Sequence, residues 1–178
     1  SHGVSFADFG CGTGRSTVEL AKRFPSSNFV GYDAFLPNIE KAFENARSAG
    51  EGENITFKHW NMGEGSPGKY DVVACFDLIH DLPDPELGLR VIQESMNQGG
   101  LFLLMDIEAE DDPVNNDGPF GVFKLGISLH FCMTTSMWQG GEGLGTVGLS
   151  EMVLRDMSQK AGFSKVNKLD IQHPLNSL

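Results

Sequence analysis

Val4-Ser-Phe-Ala-Asp-Phe-Gly-Cys-Gly-Thr-Gly14 decides how this chain is read. An apolar strand runs into Asp8 and then into a loop with glycine at 10, 12 and 14. Glycine has no Cβ, so such a loop turns sharply and lets a ligand lie against bare backbone. The helix that follows offers unpaired N–H groups and the positive end of its dipole to that ligand. Strand, glycine loop and helix in this order open a nucleotide-binding α/β fold. The dinucleotide fingerprint G-x-G-x-x-G needs a third glycine at position 15, where this chain has Arg15. The D-x-G-x-G-x-G spacing therefore points away from a dinucleotide.

Working outward, Asn28-Phe-Val-Gly-Tyr-Asp33 reads as a second buried strand ending in a carboxylate. An acid at that point accepts hydrogen bonds from both ribose hydroxyls of a nucleoside, or caps the helix that follows. That helix is expected over Pro37 to Ala49, with Ile39, Ala42, Phe43 and Ala46 on one face. Ile55 to Trp60 is a third strand and leads to Asn61-Met62. Tyr70 to Phe76 is apolar almost throughout, as a strand covered on both faces should be, and delivers Asp77-Leu-Ile-His80-Asp81. Asp84-Pro85 starts a helix expected to run to about Met96. The turn Asn97-Gln-Gly-Gly100 ends it, and Leu101 to Met105 is a fifth strand that stops at Asp106. Ser150 to Ala161 is a further helix, and Phe163 to Leu169 is expected as a sixth strand.

The loop with Asp8, Gly10, Cys11, Gly12 and Gly14 resembles motif I of class I methyltransferases that use S-adenosyl-L-methionine, and the later elements follow in that family's order. The resemblance implies a Rossmann-like, doubly wound, mostly parallel sheet with helices on both faces. It also implies that Asp33 and Ala34, Asn61 and Met62, and Phe76 and Asp77 join the glycine loop around the cofactor. Asn61 stands where the family commonly has an Asp that receives the adenine amino group, and its amide oxygen still accepts a hydrogen bond. Met62 either packs on the adenine or fills the core.

The segment from Ile107 to Gly148 is a long insertion after strand five, expected as a helical lid and substrate pocket. With Gly118-Pro-Phe-Gly, His130-Phe-Cys-Met and Gln139-Gly-Gly-Glu-Gly-Leu-Gly145 it resembles the insertion of a subgroup whose methyltransferase domain follows a winged helix, which this sequence lacks. Residues 1–178 are therefore expected to be one methyltransferase domain, cut from a longer protein at one or both ends.

The resemblance implies transfer of an electrophilic methyl group, with S-adenosyl-L-homocysteine as product, to a small molecule. Phe120, Phe123, Phe131, Met133 and Trp138 suggest an acceptor that is partly apolar. A base is needed only if that acceptor arrives protonated. The first candidate is His80, after strand four, and the second is His130, on the insertion; a plain structural role is open to both, and more so to His130. No metal is expected. Asp77 and Asp106 stand at strand ends where related enzymes hold magnesium, but Ile107 replaces the amide that should follow. Glu108 to Asp112 reads as a solvated acidic loop, and His130 and Cys132, two apart, fall on different helix faces.

Thirteen basic and twenty-four acidic residues give a net charge of −11, which argues against nucleic acid as substrate. Three cysteines in a glycine loop, a buried strand and an apolar helix suit a reducing compartment, so the expected location is cytoplasmic. The apolar stretch after Pro119 is broken by Lys124, Gly126, Ser128 and His130, so no membrane helix is expected. Two other readings stay open on the sequence: a module that binds the adenosyl cofactor without turnover, and a nicotinamide oxidoreductase.

Overall fold

Phe6, Ala7, Asp8 and Phe9 are all buried, and such a stretch has no face for solvent. It forms β1 (Ser5–Phe9), which pairs in parallel with β2 (Asn28–Asp33) on one side and β4 (Tyr70–Phe76) on the other. The computed structural model describes residues 2–50, 52–171, 173 and 175–177. β3 (Ile55–His59) adds in parallel to β2, and the sheet order is β3-β2-β1-β4-β5-β6. Each parallel step needs a crossover, supplied by α1 (Arg15–Arg23), α2 (Leu36–Ser48) and α3 (Pro85–Glu94). This is the Rossmann-like sheet that the sequence implies.

The chain divides into two units, Ser1–Phe76 with Glu94–Leu104, and Asp77–Gln93 with Met105–Leu178. In the first, Phe6, Val18, Phe29, Ile39, Ile55 and Phe57 form one apolar cluster. Burying each such side chain contributes about 1.5–3 kcal/mol before the entropy of ordering it is counted. Phe9, Tyr32 and Trp60 make a second, aromatic cluster, with ring centroids 4.8 to 5.5 Å apart. Gly14 ties loop to core, because a Cβ there would sit 2.6 Å from the Phe57 ring.

The second unit is mainly helical. It holds α4 (Gly118–Ile127), a π-helical turn at Ser128–Cys132, α5 (Met133–Trp138), the short α6 (Gly145–Gly148) and α7 (Glu151–Lys160). The expected insertion is thus helical. Phe120, Phe123, Phe131 and Trp138 are all more than half exposed on it.

Three expectations change. β5 begins at Met96 and runs to Ile107, so Asn97–Gly100 is extended, and α3 stops at Glu94. Asn97 donates to Asp71 at 2.8 Å, and Ser95 accepts from the Tyr70 N–H; these ties to β4 outweigh the turn-forming character of the glycines. Phe163–Leu169 is not a strand. Its apolar residues Phe163, Val166 and Leu169 recur every three positions, so an extended chain would bury neither face. The antiparallel end strand, not evident in the sequence, is β6 at Asn176–Ser177, paired with Asp106 and Ile107.

Candidate active site

In the first unit the end of β1 becomes a rigid loop. Gly10, Gly12 and Gly14 all have positive φ, between 54° and 74°. The Gly10 and Cys11 N–H groups donate to the Tyr32 carbonyl, and Asn45 Nδ2 donates to the Thr13 carbonyl. Asp33, closing β2, holds the loop from the other side: its Oδ2 accepts from the Gly12 N–H at 2.9 Å. Its Oδ1 accepts from the Phe35 N–H and from Asn38 Nδ2, which ties Asp33 to the start of α2 as well as to the loop. No atom lies within 4 Å of where a Gly12 Cβ would be, so bare backbone borders open space there.

Asp8 lies beneath this loop. Its Oδ2 accepts from Ser16 Oγ at 2.7 Å and Thr17 Oγ1 at 2.6 Å, while Oδ1 is buried with no hydrogen-bond partner among the described residues. Burial, offset in part by these hydroxyls, raises its carboxyl to about 6. Cys11 is buried and its thiol is pushed well up, first by burial and then by the charge of Asp8, so it is no thiolate nucleophile.

Where the resemblance places adenine, the residues do more local work than expected. Asn61 caps a 3₁₀ turn over Met62–Glu64, its side chain accepting from Gly63 N at 2.8 Å, while Glu64 accepts from the Asn61 N–H. Met62 is half-buried in that turn. Ala34 is exposed, and its carbonyl accepts from His59 Nε2 at 3.0 Å. Phe35, which the sequence reading passed over, is 61% exposed two residues after Asp33. Phe76 is half-buried at the end of β4.

The second unit gathers three acids around one imidazole. His80 lies on a 3₁₀ turn (Ile79–Asp81) and is buried. Its Nδ1 is 2.5 Å from Asp106 Oδ1, at the end of β5, and its Nε2 is 3.3 Å from Asp81 Oδ1. Burial pulls the imidazole pKa down, but Asp106, Asp81 and Asp77 outweigh it, and the net shift is upward. Nδ1–H donating to Asp106 leaves Nε2 with the free lone pair in the neutral ring. Asp77 has φ 51°, the one described non-glycine residue in the left-handed region, at a cost of about 1–2 kcal/mol. Its N–H donates to the Met105 carbonyl, and its Oδ1 accepts from Asn176 Nδ2 at 2.6 Å. Burial first, then Asp106, raises the Asp77 carboxyl.

The sequence offers Asp106 only as a strand-end acid where related enzymes hold magnesium and marks no role for Asn176; both reach this cluster through pairings distant in sequence. His130, the second candidate base, is exposed on the π-helical turn and has no ring hydrogen bond among the described residues. Cys132, two residues on, is buried and accepts from Thr146 Oγ1 at 3.1 Å. Burial first pushes its thiol up to about 11, and the neighbouring Asp81 charge adds to this.

A profile of the methyltransferase domain matches residues 1–137, and the chain belongs to this family, the class I S-adenosylmethionine-dependent methyltransferases. Trans-aconitate 2-methyltransferase of Deinococcus radiodurans is 31% identical over 110 residues, covering 62% of this chain and 38% of that protein. The solved structure of PigF with S-adenosylhomocysteine superposes with a TM-score of 0.76 at 23% identity, over 97% of this chain and 48% of that one. Coclaurine N-methyltransferase, bound to N-methylheliamine and S-adenosylhomocysteine, gives 0.56 at 25% identity, over 61% and 32%. The chain spans less than half the length of the first curated relatives it matches.

The family's cofactor is S-adenosylmethionine, and the residues present fit it. The Gly12 backbone borders space that a Cβ would enter, and Asp8 keeps a buried carboxylate oxygen without a hydrogen-bond partner among the described residues. The nicotinamide reading of the glycine loop falls with the family assignment. Among the described residues no helix is long and apolar enough to cross a membrane.

Proposed function

We propose that this chain is the catalytic part of a methyltransferase acting on a small-molecule acceptor, with His80 as general base. The observation that carries the reading is the buried His80–Asp106 pair. Asp106 fixes the tautomer and stabilises the charge that the imidazole gains on taking a proton. Nε2 is then the atom that removes a proton from an acceptor hydroxyl or amine. His130, exposed and without such a support, is left as a contact for the acceptor or a surface residue.

Bound S-adenosylmethionine supplies a methyl group on an electrophilic sulfonium. Asp33 would hold the ribose hydroxyls with the lone pairs left over from Gly12, Phe35 and Asn38. The loop from Gly10 to Gly14 would lie along the amino-acid portion, with the Asp8 charge favouring its ammonium. Ala34, Asn61 and Met62 would border the adenine, and Phe35 offers an exposed ring beside them. Phe76 and Asp77, at the turn into the His80 segment, would complete the cofactor's surroundings. The helical insertion over 107–148 is read as the cover that keeps water from the acceptor, and its exposed aromatic residues suit an apolar one. Net charge −11 and scattered lysines favour a small molecule over nucleic acid. A reducing, cytoplasmic setting suits the three buried cysteines.

Thermal unfolding with S-adenosylhomocysteine, S-adenosylmethionine or NAD⁺ added separately tests the cofactor half. A ligand at 100 times its Kd stabilises by about 2.7 kcal/mol, so the adenosyl ligands should raise Tm and NAD⁺ should not. The chemical half is tested with labelled S-adenosylmethionine and a panel of small hydroxyl and amine acceptors. His80→Gln should keep the thermal shift and lose label transfer. Transfer that persists in this variant removes His80 as the base.

A further inference from the structure

We infer that His80, Asp81 and Cys132 form a site for a zinc-like divalent cation. Each offers one ligand atom, and the three atoms lie within 4.8 Å of one another. His80 Nε2 and Asp81 Oδ1 are 3.3 Å apart, a separation that two donors on one tetrahedral ion would show. The Asp81 oxygen is buried with no hydrogen-bond partner among the described residues, an arrangement that a cation would relieve.

The surroundings are those of metal ligands. His80 Nδ1 faces Asp106, a carboxylate–histidine arrangement that orients Nε2 and raises its basicity toward a metal. Cys132 Sγ accepts from Thr146 Oγ1 and closes the π-helical turn, a form of helix often found at functional positions. Nitrogen, oxygen and sulfur donors together suit zinc or cobalt rather than magnesium, which prefers oxygen throughout. Three protein ligands leave a fourth position open. Binding releases the Cys132 S–H proton to solvent, since the thiolate is the ligand. The sequence paired Cys132 only with His130, its neighbour; its partners come instead from the turn after β4.

Occupation takes the Nε2 lone pair that the base requires, so the metal-bound form should be silent in methyl transfer. That consequence rests on the reading of His80 as base; the binding itself does not. The test is a titration of the reduced chain with Co²⁺, followed by thiolate-to-cobalt absorption in the near ultraviolet and by the visible bands of a tetrahedral ion. One equivalent should bind and be displaced by Zn²⁺. Cys132→Ser and Asp81→Asn should each weaken binding at least tenfold, and Asp106→Asn about 10- to 100-fold. Circular dichroism reports whether each variant folds, and Asp81→Asn serves if Cys132→Ser does not. A wild-type chain without the absorption overturns the site, as does unchanged affinity in a folded Cys132→Ser or Asp81→Asn variant. Either failure leaves His80 standing as base if His80→Gln still abolishes transfer. A wild-type chain that binds cobalt while His80→Gln retains transfer would overturn the base alone.

Discussion

The two units of this chain surround their acidic side chains in opposite ways. In the first, Asp8 is met by hydroxyls from Ser16 and Thr17, close in sequence, and by no cation. In the second, Asp77, Asp81 and Asp106 gather around His80 and raise its imidazole pKa against the pull of burial. A carboxylate left short of positive charge is suited to a ligand that brings some. An imidazole pressed by three acids is suited to accept a proton and, when neutral, to present one lone pair. The first arrangement is the one the proposed cofactor binding would use, and the second the one the proposed proton transfer would use.

The largest break in that contrast should come from His80→Gln. We expect label transfer to fall about 10²- to 10⁴-fold with the S-adenosylhomocysteine thermal shift unchanged. A comparable loss of both would place His80 among the binding residues. Next is Asp33→Ala, which removes hydrogen bonds to a charged group worth about 1.5–3 kcal/mol each. S-adenosylhomocysteine affinity should drop roughly 10- to 100-fold by calorimetry, and His80 chemistry at saturating cofactor should remain.

Asp106→Asn sharpens the second unit. The acid that raises the imidazole pKa is gone, so the acidic limb of the pH–rate profile, where the base loses its proton, should move to lower pH while kcat falls. His80 also carries a stability signature. Its folded pKa is raised, so its contribution is fully present below the ordinary histidine value and is lost as pH rises through the folded one. Urea unfolding across neutral pH should show this fall, and the Asp106→Asn variant should show less of it.

A smaller effect concerns Asp8. Its folded pKa is raised to about 6, so ionisation opposes folding, and that penalty grows as pH rises from the ordinary carboxylate range toward 6. A bound ammonium offsets the penalty only when Asp8 is charged. The S-adenosylhomocysteine thermal shift should therefore shrink as pH falls through 6, and Asp8→Asn should flatten that dependence. The smallest effect is Asn61→Asp. Aspartate keeps the cap on the Met62–Glu64 turn and adds charge assistance toward adenine, so affinity should rise by less than tenfold.

How much was legible follows the range of the interactions. β1, the glycine loop, β2 and Asp33 could be read because each depends on neighbours in sequence: apolar runs, glycines at fixed spacing, an acid at a strand end. The cap of α3 by Asp84, whose Oδ1 accepts from the Leu87 N–H, is local in the same sense. Asn61 was read by its place in a family pattern, and the structure adds a capping role that its own sequence, Asn61-Met-Gly-Glu64, also encodes. The Phe163–Leu169 strand failed because apolar content was read without its period.

Local pattern was enough to read a nucleotide-binding sheet, its glycine loop and the family to which the chain belongs. Glycine backbone freedom, strand burial and helix capping are set within a few residues. Only the tertiary structure decided that Asp106 supports His80, that Asn176 reaches Asp77 across 99 positions, and that Cys132 faces Asp81 instead of serving beside His130. These pairings depend on sheet order, on where β5 ends and on a π-helical turn. No local pattern specifies them, because their free energy is gained only after distant segments have packed.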